Sequence, residues 1–388
     1  VHLCVAAAFA YGSYAMCRSP VLPLFARSLG AGPPLIGLIV GASTLTGIVV
    51  KLPAGALSDV WGRRALLLCG AGFFAVMPAA YLAVTSVGLL LALRFVHGNA
   101  TAMFGPVASA ALSDLAPVSH RGAWLGTYSA VQGAGQAIGP VLAGALIAAN
   151  HFERAFAASA ALGVVALALI ATWPATASTG PPSHRWATFR QGIAEVVGDS
   201  RILLISLAQA AQFFLNGTLN AFLPLYAKDV AGLDALQIGL LFGVQTVTTL
   251  AVRPLFGVVS DRMGRRLMIA GGLVNSGLAI GAVSQVSDFR SLLVTAAWYG
   301  AALSLTTSAT SAYITDLTPR TRYGAAHGTF GTIYDVGDAC GPISAGVLVA
   351  AVGYRQTFAA MAAAAIVLAV GFVWASRRWK GQAVESPA

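Results

Sequence analysis

Gly55-Ala-Leu-Ser-Asp59-Val-Trp-Gly62-Arg63-Arg64 returns 202 residues later as Gly257-Val-Val-Ser-Asp261-Arg-Met-Gly264-Arg265-Arg266. Each copy closes a long apolar segment and packs an acid, a helix-breaking glycine and paired arginines into one turn, a composition that belongs at a membrane surface. The same offset pairs Gly37 with Gly239, Gly41 with Gly243, Lys51 with Arg253, Gly98 with Gly300, Asp114 with Asp316, Pro117 with Pro319 and Gly122 with Gly324. Leu22-Pro23-Leu24 matches Leu223-Pro224-Leu225 one residue out of that register. One register held over such a distance makes the chain an internal duplication.

Composition sets the solvent. Of 388 residues, 57% are hydrophobic and 9% charged, against about a quarter charged in an ordinary soluble domain. Apolar stretches of the roughly 20 residues that cross a hydrocarbon core recur from end to end. Twelve are read, at about 3–27, 33–57, 65–86, 87–113, 121–149, 155–174, 202–227, 234–259, 267–287, 290–315, 322–351 and 356–376. They are about twice the length of a barrel strand and lack alternation, so helices are the structure that satisfies the backbone in lipid. The expected fold is all-α and integral to the membrane, with twelve transmembrane helices in two parallel six-helix repeats.

The net charge of +10 raises the question of nucleic acid, and the placement of the cations answers it. With both termini taken as cytoplasmic, fourteen Lys and Arg fall on that side, among them Arg63, Arg64, Arg121, Arg265 and Arg266. Five fall on the other (Arg27, Arg154, Lys228, Arg290, Arg355), and Arg18, Lys51, Arg94 and Arg253 lie within spans. This bias is the positive-inside pattern of a multi-pass membrane protein, not a nucleic-acid footprint, and the expected location is a bacterial inner membrane. The polar, Pro/Gly-rich stretch 175–200 reads as a cytoplasmic linker between an N-terminal bundle (1–174) and a C-terminal bundle with a short tail (201–388). The first helix is expected to be retained rather than cleaved as a signal peptide. Cys4, Cys17, Cys69 and Cys340 are scattered without metal-ligand spacing and read as packing residues.

These residues resemble the major facilitator superfamily, and the resemblance covers essentially the whole chain. Its signature between helices 2 and 3 is matched by Gly55, Leu57, Asp59, Gly62, Arg63, Arg64 and Leu67, with Val60 departing from it. Gly257, Asp261, Arg262, Gly264, Arg265 and Arg266 repeat it, with Val259 in place of leucine. The resemblance implies that this turn latches the two halves on the cytoplasmic side; topology anchoring alone is the plainer alternative. Glycines 55 and 257 are expected to permit close helix approach. Gly126, Gly135, Gly139-Pro140 and Ala143-Gly144 resemble the family's antiporter signature in helix 5, with Ala143 replacing a glycine, and helix 11 repeats the pattern as Gly328, Gly337, Gly341-Pro342 and Ala345-Gly346. That signature implies export in exchange for protons; a tight static helix pair is the alternative. Arg94-Phe-Val-His97-Gly98 is similar to the family's helix 4 motif, in which the arginine is linked to proton movement.

Charges inside spans are the candidates for coupling. Arg94 must face a cavity or an acid, or snorkel to the outer surface. His97 is either satisfied by a neighbouring helix or a second titrating site. Of thirteen acidic residues, Asp335 and Asp338 alone lie well inside a span, three apart on one face beside Tyr334. They are the expected proton-coupling residues with Arg94; a structural ion pair with Arg18 or Arg94 is the alternative. Their offset partners are Gly133 and Gln136, and this asymmetry within a duplication favours function.

The resemblance places helices 1, 4, 7 and 10 around a central cavity. Tyr11, Tyr14 and Arg18 share one face of helix 1, and Gln209, Gln212, Asn216 and Asn220 one face of helix 7. With His97, Trp298 and Tyr299 they make the expected substrate cavity, suited to amphipathic molecules; polar glue between helices is the alternative. No HExxH, G-x-S-x-G or metal cluster appears, so neither an enzyme nor a cofactor is expected, and neither is the large output domain of a sensor. The expected function is a proton-coupled exporter of small organic compounds, drug-like or amphipathic, working as a monomer on the proton gradient. A dedicated exporter of one sugar, amino acid or siderophore is the rival, and uptake by symport comes after it.

Overall fold

The computed structural model describes residues 1–117, 120–147, 151–173, 198–318 and 323–377. Among them no strand occurs, and twelve helices follow the duplication. Helix α1 has two parts, His2–Met16 and Leu22–Ser28, joined by a wide turn at Cys17–Val21 where Ser19 is extended and Pro20 removes a backbone donor. Then come α2 (Pro33–Val60), α3 (Arg63–Tyr81), α4 (Val87–Leu115), α5 (Arg121–Leu146) and α6 (Phe152–Thr172). The second repeat has α7 (Ser200–Asp229), α8 (Ala235–Met263), α9 (Arg265–Val283) and α10 (Phe289–Leu317). A last helical run, Tyr323–Ser376, is divided by left-handed Gly353 into α11 (323–352) and α12 (354–376).

Among the described residues nine runs are long and apolar enough to cross a membrane, the last comprising α11 and α12. Of the two helices outside that count, α1 is cut by its break and α5 is diluted by six glycines and two glutamines. The protein is thus an all-α integral membrane protein of two parallel six-helix repeats. The expected linker falls outside the described residues up to Val197, and α7 begins at Ser200, capped by the Asp199 carboxylate. Residues 319–322 and the tail from 378 also lie outside them.

The glycines of the repeat explain how the helices meet. Inside each half, Gly135 and Gly139 of α5 lie against the backbone of Ala8 and Gly12 in α1, and Gly337 and Gly341 of α11 lie against Ala210 and Phe214 in α7. Between the halves, a Cβ at Gly37 would overlap the Pro342 carbonyl, and one at Gly239 the Pro140 carbonyl. Gly346 meets Pro33, as Gly144 meets Ala235. Each of these contacts thus has its mate at the offset of 202. The antiporter-like motif is therefore divided in its duties: Gly135 and Gly139 bind α5 to α1, while Pro140 and Gly144 carry it against α8 of the other half.

These cross-half contacts cluster at the end where α2 and α8 begin, and Arg27 pairs there with Asp229, which also accepts from Tyr354 Oη at 3.1 Å. Toward the arginine-rich turns the halves part. A Cβ at Gly126, Gly257 or Gly328 would meet nothing within 4 Å, and Trp61, Leu255, Val258 and Met263 are exposed. The expectation of close packing at Gly257 is corrected accordingly, because in this conformation α8 diverges from its neighbours before reaching that residue.

Candidate functional site

The two carboxylates of α11 sit at the centre of the cleft, and each reaches a cation of the other half. The Arg18 guanidinium, at the break in α1, donates to Asp338 at 2.7 Å. Thr44 Oγ1 of α2 donates to the same oxygen at 3.2 Å, and Asn216 Nδ2 of α7 approaches the other at 3.4 Å. Lys51 of α2 pairs with Asp335. Both acids are buried, with side chains 9% and 7% exposed for Asp335 and Asp338, while Lys51 and Arg18 retain 30% and 20%. A buried charge is tolerated when paired and hydrogen-bonded, so three helices from two halves are held at one point by two ion pairs, with α7 joined through Asn216. The charges are arranged so that one proton on either carboxylate removes one bridge between halves.

Lys51 was not among the expected coupling residues, although its place in an apolar span required an acid somewhere opposite. Its repeat mate Arg253 made it look like part of the duplicated scaffold. The asymmetry lies in the partner: Asp335 answers Lys51, whereas Gly133 stands at the corresponding position opposite Arg253.

Arg94 has another setting. It is fully buried, donates to Ser43 Oγ, the Ile39 carbonyl at 3.3 Å and Tyr81 Oη at 3.4 Å, and lies over the Tyr14 ring at 5.9 Å. Among the described residues no carboxylate pairs with it. Its charge is held by hydrogen-bond acceptors and aromatic faces inside the N-terminal bundle, so neither a cavity, an acid nor snorkelling accounts for it. His97, also fully buried, bonds through Nδ1 with Tyr81 Oη at 2.8 Å, as the neighbouring-helix alternative required.

The expected cavity divides in the same way. Arg18 and Asn216 line the charged centre, and Asn220 lies beside it, its backbone and side-chain oxygens 3.4 Å from Ser19 Oγ. Tyr14 Oη lies 3.0 Å from Ser43 Oγ, and Tyr11 packs its ring against Phe74 and Phe104. Gln209 and Gln212 do not face the cleft: Gln209 accepts from Thr310, and Gln212 joins Ser276, Thr306 and Tyr299 inside the C-terminal bundle. Tyr299 is buried with them, and Trp298 donates instead to Asn275. Spacing of three and four residues defines a helix face without saying what that face meets, and here a buried polar core needed its donors matched.

At the turns, Gly62 and Gly264 adopt φ of 87° and 91°, a left-handed conformation that glycine enters without strain. Arg63 donates to Asp114 at 3.2 Å and to Ser58; Arg265 pairs with Asp316 at 3.0 Å, Asp261 at 2.5 Å and Ser260 at 3.1 Å. Arg64 reaches the Ala171 carbonyl and Arg266 the Ser376 carbonyl. These bonds tie helices within each half. The expected latch between halves is not formed among the described contacts, because the halves are apart at this face. The side-chain positions of Gly55 and Asp59 lie outside the described residues.

The sequence model of the Major Facilitator Superfamily matches residues 3–244 and again 205–388. The chain belongs to this superfamily. A relative from Methanocaldococcus jannaschii, an uncharacterised transporter of major facilitator type, is 24% identical over 91% of this chain and 92% of its own length. The quinolone resistance protein NorA of Staphylococcus aureus is 26% identical over 38% of each chain. Among solved structures, a bacterial homologue of the human lysosomal transporter Spinster, described as inward-facing and unoccupied, superposes with a TM-score of 0.82 at 17% identity, covering 100% of this chain and 98% of that one. As a major facilitator protein the chain is a multi-pass membrane transporter, a family that carries small molecules and couples to ions rather than an enzyme family.

Proposed function

We propose that this major facilitator protein is a proton-coupled antiporter that exports small organic compounds across a bacterial inner membrane. The observation that carries the reading is the double bridge, Arg18 to Asp338 and Lys51 to Asp335, linking the two halves through the acids of α11. The partial similarity to a quinolone resistance protein and the glycine-proline pattern of α5 point the same way.

By the excess of Lys and Arg, the parted face is cytoplasmic, as are both termini. The conformation then corresponds to the stage after protons have left: both acids are ionised and paired, and the cleft is open to the cytoplasm for substrate. Substrate loading and rocking of the halves expose the cleft to the outside. There the acids take up protons, the bridges dissolve and substrate leaves; this protonated form rests with its cytoplasmic face closed and reaches the inward-open form only transiently. Deprotonation toward the cytoplasm restores the bridges. Direction follows from the inward proton gradient.

The test uses everted membrane vesicles with an acidified interior and a pH reporter. Addition of a transported compound is expected to release protons from the lumen, with no such release from Asp335→Asn/Asp338→Asn vesicles. A response to many unrelated amphipaths marks a broad exporter, and a response to one compound marks a dedicated one. Accumulation of compounds without any proton movement contradicts the coupling.

A further inference from the structure

We propose that the cargo is a singly charged organic anion with an aromatic or other flat apolar body, anchored by Arg253 of α8 with Tyr334 and Phe213 as its platform. The inference deepens the transport reading above and rests on the cleft being the transport cavity.

Arg253 is the cation of the cleft that no described acid answers. It lies within an apolar span of α8, yet it is exposed. On that helix it follows Thr246 by seven residues and Thr249 by four, which places it on their face. Thr249 donates to the Gly300 carbonyl, and Gln245 approaches Asn216, itself a neighbour of Asp338, so this face looks inward rather than to lipid. The Arg253 guanidinium lies within electrostatic reach of the Tyr334 hydroxyl, which also feels Lys51, Asp335 and Asp338. Among the described residues no carboxylate pairs with it.

The duplication shows why this is informative. Lys51 and Arg253 are repeat mates, and an acid balances only one of them. With both acids ionised, Arg18 and Asp338 cancel, Lys51 and Asp335 cancel, and Arg253 remains. An accessible guanidinium that no acid neutralises offers one bound anion charge-assisted hydrogen bonds. The anion is served by the same form that an antiporter loads from: Arg18 and Lys51 are occupied by the deprotonated acids, and Arg253 is not. A cationic cargo would have to displace Arg18 or Lys51 from its acid and would bring a fourth positive charge into the cleft. Within that reach, Tyr334 stacks on Phe213 with centroids 4.5 Å apart and planes 27° from parallel. Such a surface accepts a flat apolar group while the guanidinium takes the carboxylate, sulfonate or phosphate attached to it.

Three probes sharing one skeleton separate the classes: naphthalene-2-carboxylate, 2-naphthylmethylamine and 2-naphthylmethanol, each titrated at about pH 8, where exposed carboxylates are ionised, against purified full-length protein in detergent. The readout is ligand-dependent thermal stabilisation. The carboxylate is expected to stabilise the protein at concentrations where the amine and the alcohol do not. Arg253→Gln is expected to weaken that response about tenfold or more, the value of one charge-assisted hydrogen bond, and Arg253→Lys to retain most of it. If Arg253→Gln does not fold, Phe213→Ala, expected to weaken the carboxylate response, takes its place, with Arg253→Lys as the variant that keeps the charge and the response. Equal or greater stabilisation by the amine or alcohol overturns the proposal. So does a carboxylate response that survives loss of the charge and the platform, or no response to any probe. No membrane or gradient enters the measurement, so failed proton coupling leaves it untouched. A failed anion response likewise leaves proton-coupled transport of neutral compounds standing.

Discussion

Lys51 of α2 and Asp335 of α11, one from each repeat, form an ion pair across the cleft that divides the two halves. Removing one partner of a buried pair is more damaging than removing both, because the remaining charge keeps its desolvation cost. Lys51→Gln is expected to lower stability by about 3 kcal/mol, the low end of the range for buried pairs since Lys51 is partly exposed. Lys51→Gln/Asp335→Asn should recover much of that loss, with a coupling energy of about 0.5–3 kcal/mol in a double-mutant cycle. Thermal unfolding in detergent checks it; strict additivity would show that the pair does not hold the halves.

Gly37→Ala and Gly239→Ala should damage the protein alike, because their Cβ atoms overlap equivalent proline carbonyls across the cleft. Overpacking at such a contact costs about 1–3 kcal/mol. Gly126→Ala and Gly257→Ala meet open space and should change stability by less than about 0.5 kcal/mol, or raise it slightly through helix propensity. Unfolding midpoints of the four variants give the comparison. Equal effects at all four positions would contradict the parting of the halves toward the arginine-rich face.

Arg94→Lys is expected to destabilise the N-terminal bundle, since an ammonium cannot reach Ser43, the Ile39 carbonyl and Tyr81 together as the guanidinium does. The loss should be on the order of 2–4 kcal/mol, from hydrogen bonds to a charged group worth about 1.5–3 each. Folded Arg94→Lys protein should still release protons on substrate addition. A stable variant that has lost proton coupling would return Arg94 to the coupling machinery.

Gln212→Leu leaves the hydroxyls of Ser276, Thr306 and Tyr299 without their shared partner. Stability should fall by about 1–3 kcal/mol, while the relative order of transported compounds stays unchanged. Altered cargo preference at unchanged stability would place Gln212 at the cavity wall after all.

These cases show which features a sequence can carry. Gly37, Gly135, Pro140 and their mates were legible because close backbone approach demands glycine at fixed spacing, and duplication prints the demand twice. Asp335 and Asp338 were legible because an acid in an apolar span has few tolerable places. Lys51 was hidden by its own symmetry: its mate Arg253 is also basic, and the partner that distinguishes them lies 284 residues away on another helix. Gln209, Gln212 and Tyr299 were misplaced because helical spacing reports a face and not its neighbour. Whether the arginine-rich turns latch the halves depends on conformation, which sequence does not fix.

The central claim is that the charge on Asp335 and Asp338 sets the conformation of the two halves, and a distance measured across the arginine-rich face tests it most directly. Spin labels at Trp61→Cys and Met263→Cys, both exposed on opposite halves, report that separation in protein whose four native cysteines have been replaced. Between about pH 8 and about pH 3, on either side of the ordinary aspartate pKa of about 3.9, the wild-type distribution should shift to shorter distances as the bridges are protonated and the face closes. Asp335→Asn/Asp338→Asn should show the short distance at both pH values. A wild-type distribution indifferent to pH, or a double variant that shifts as the wild type does, would contradict the account.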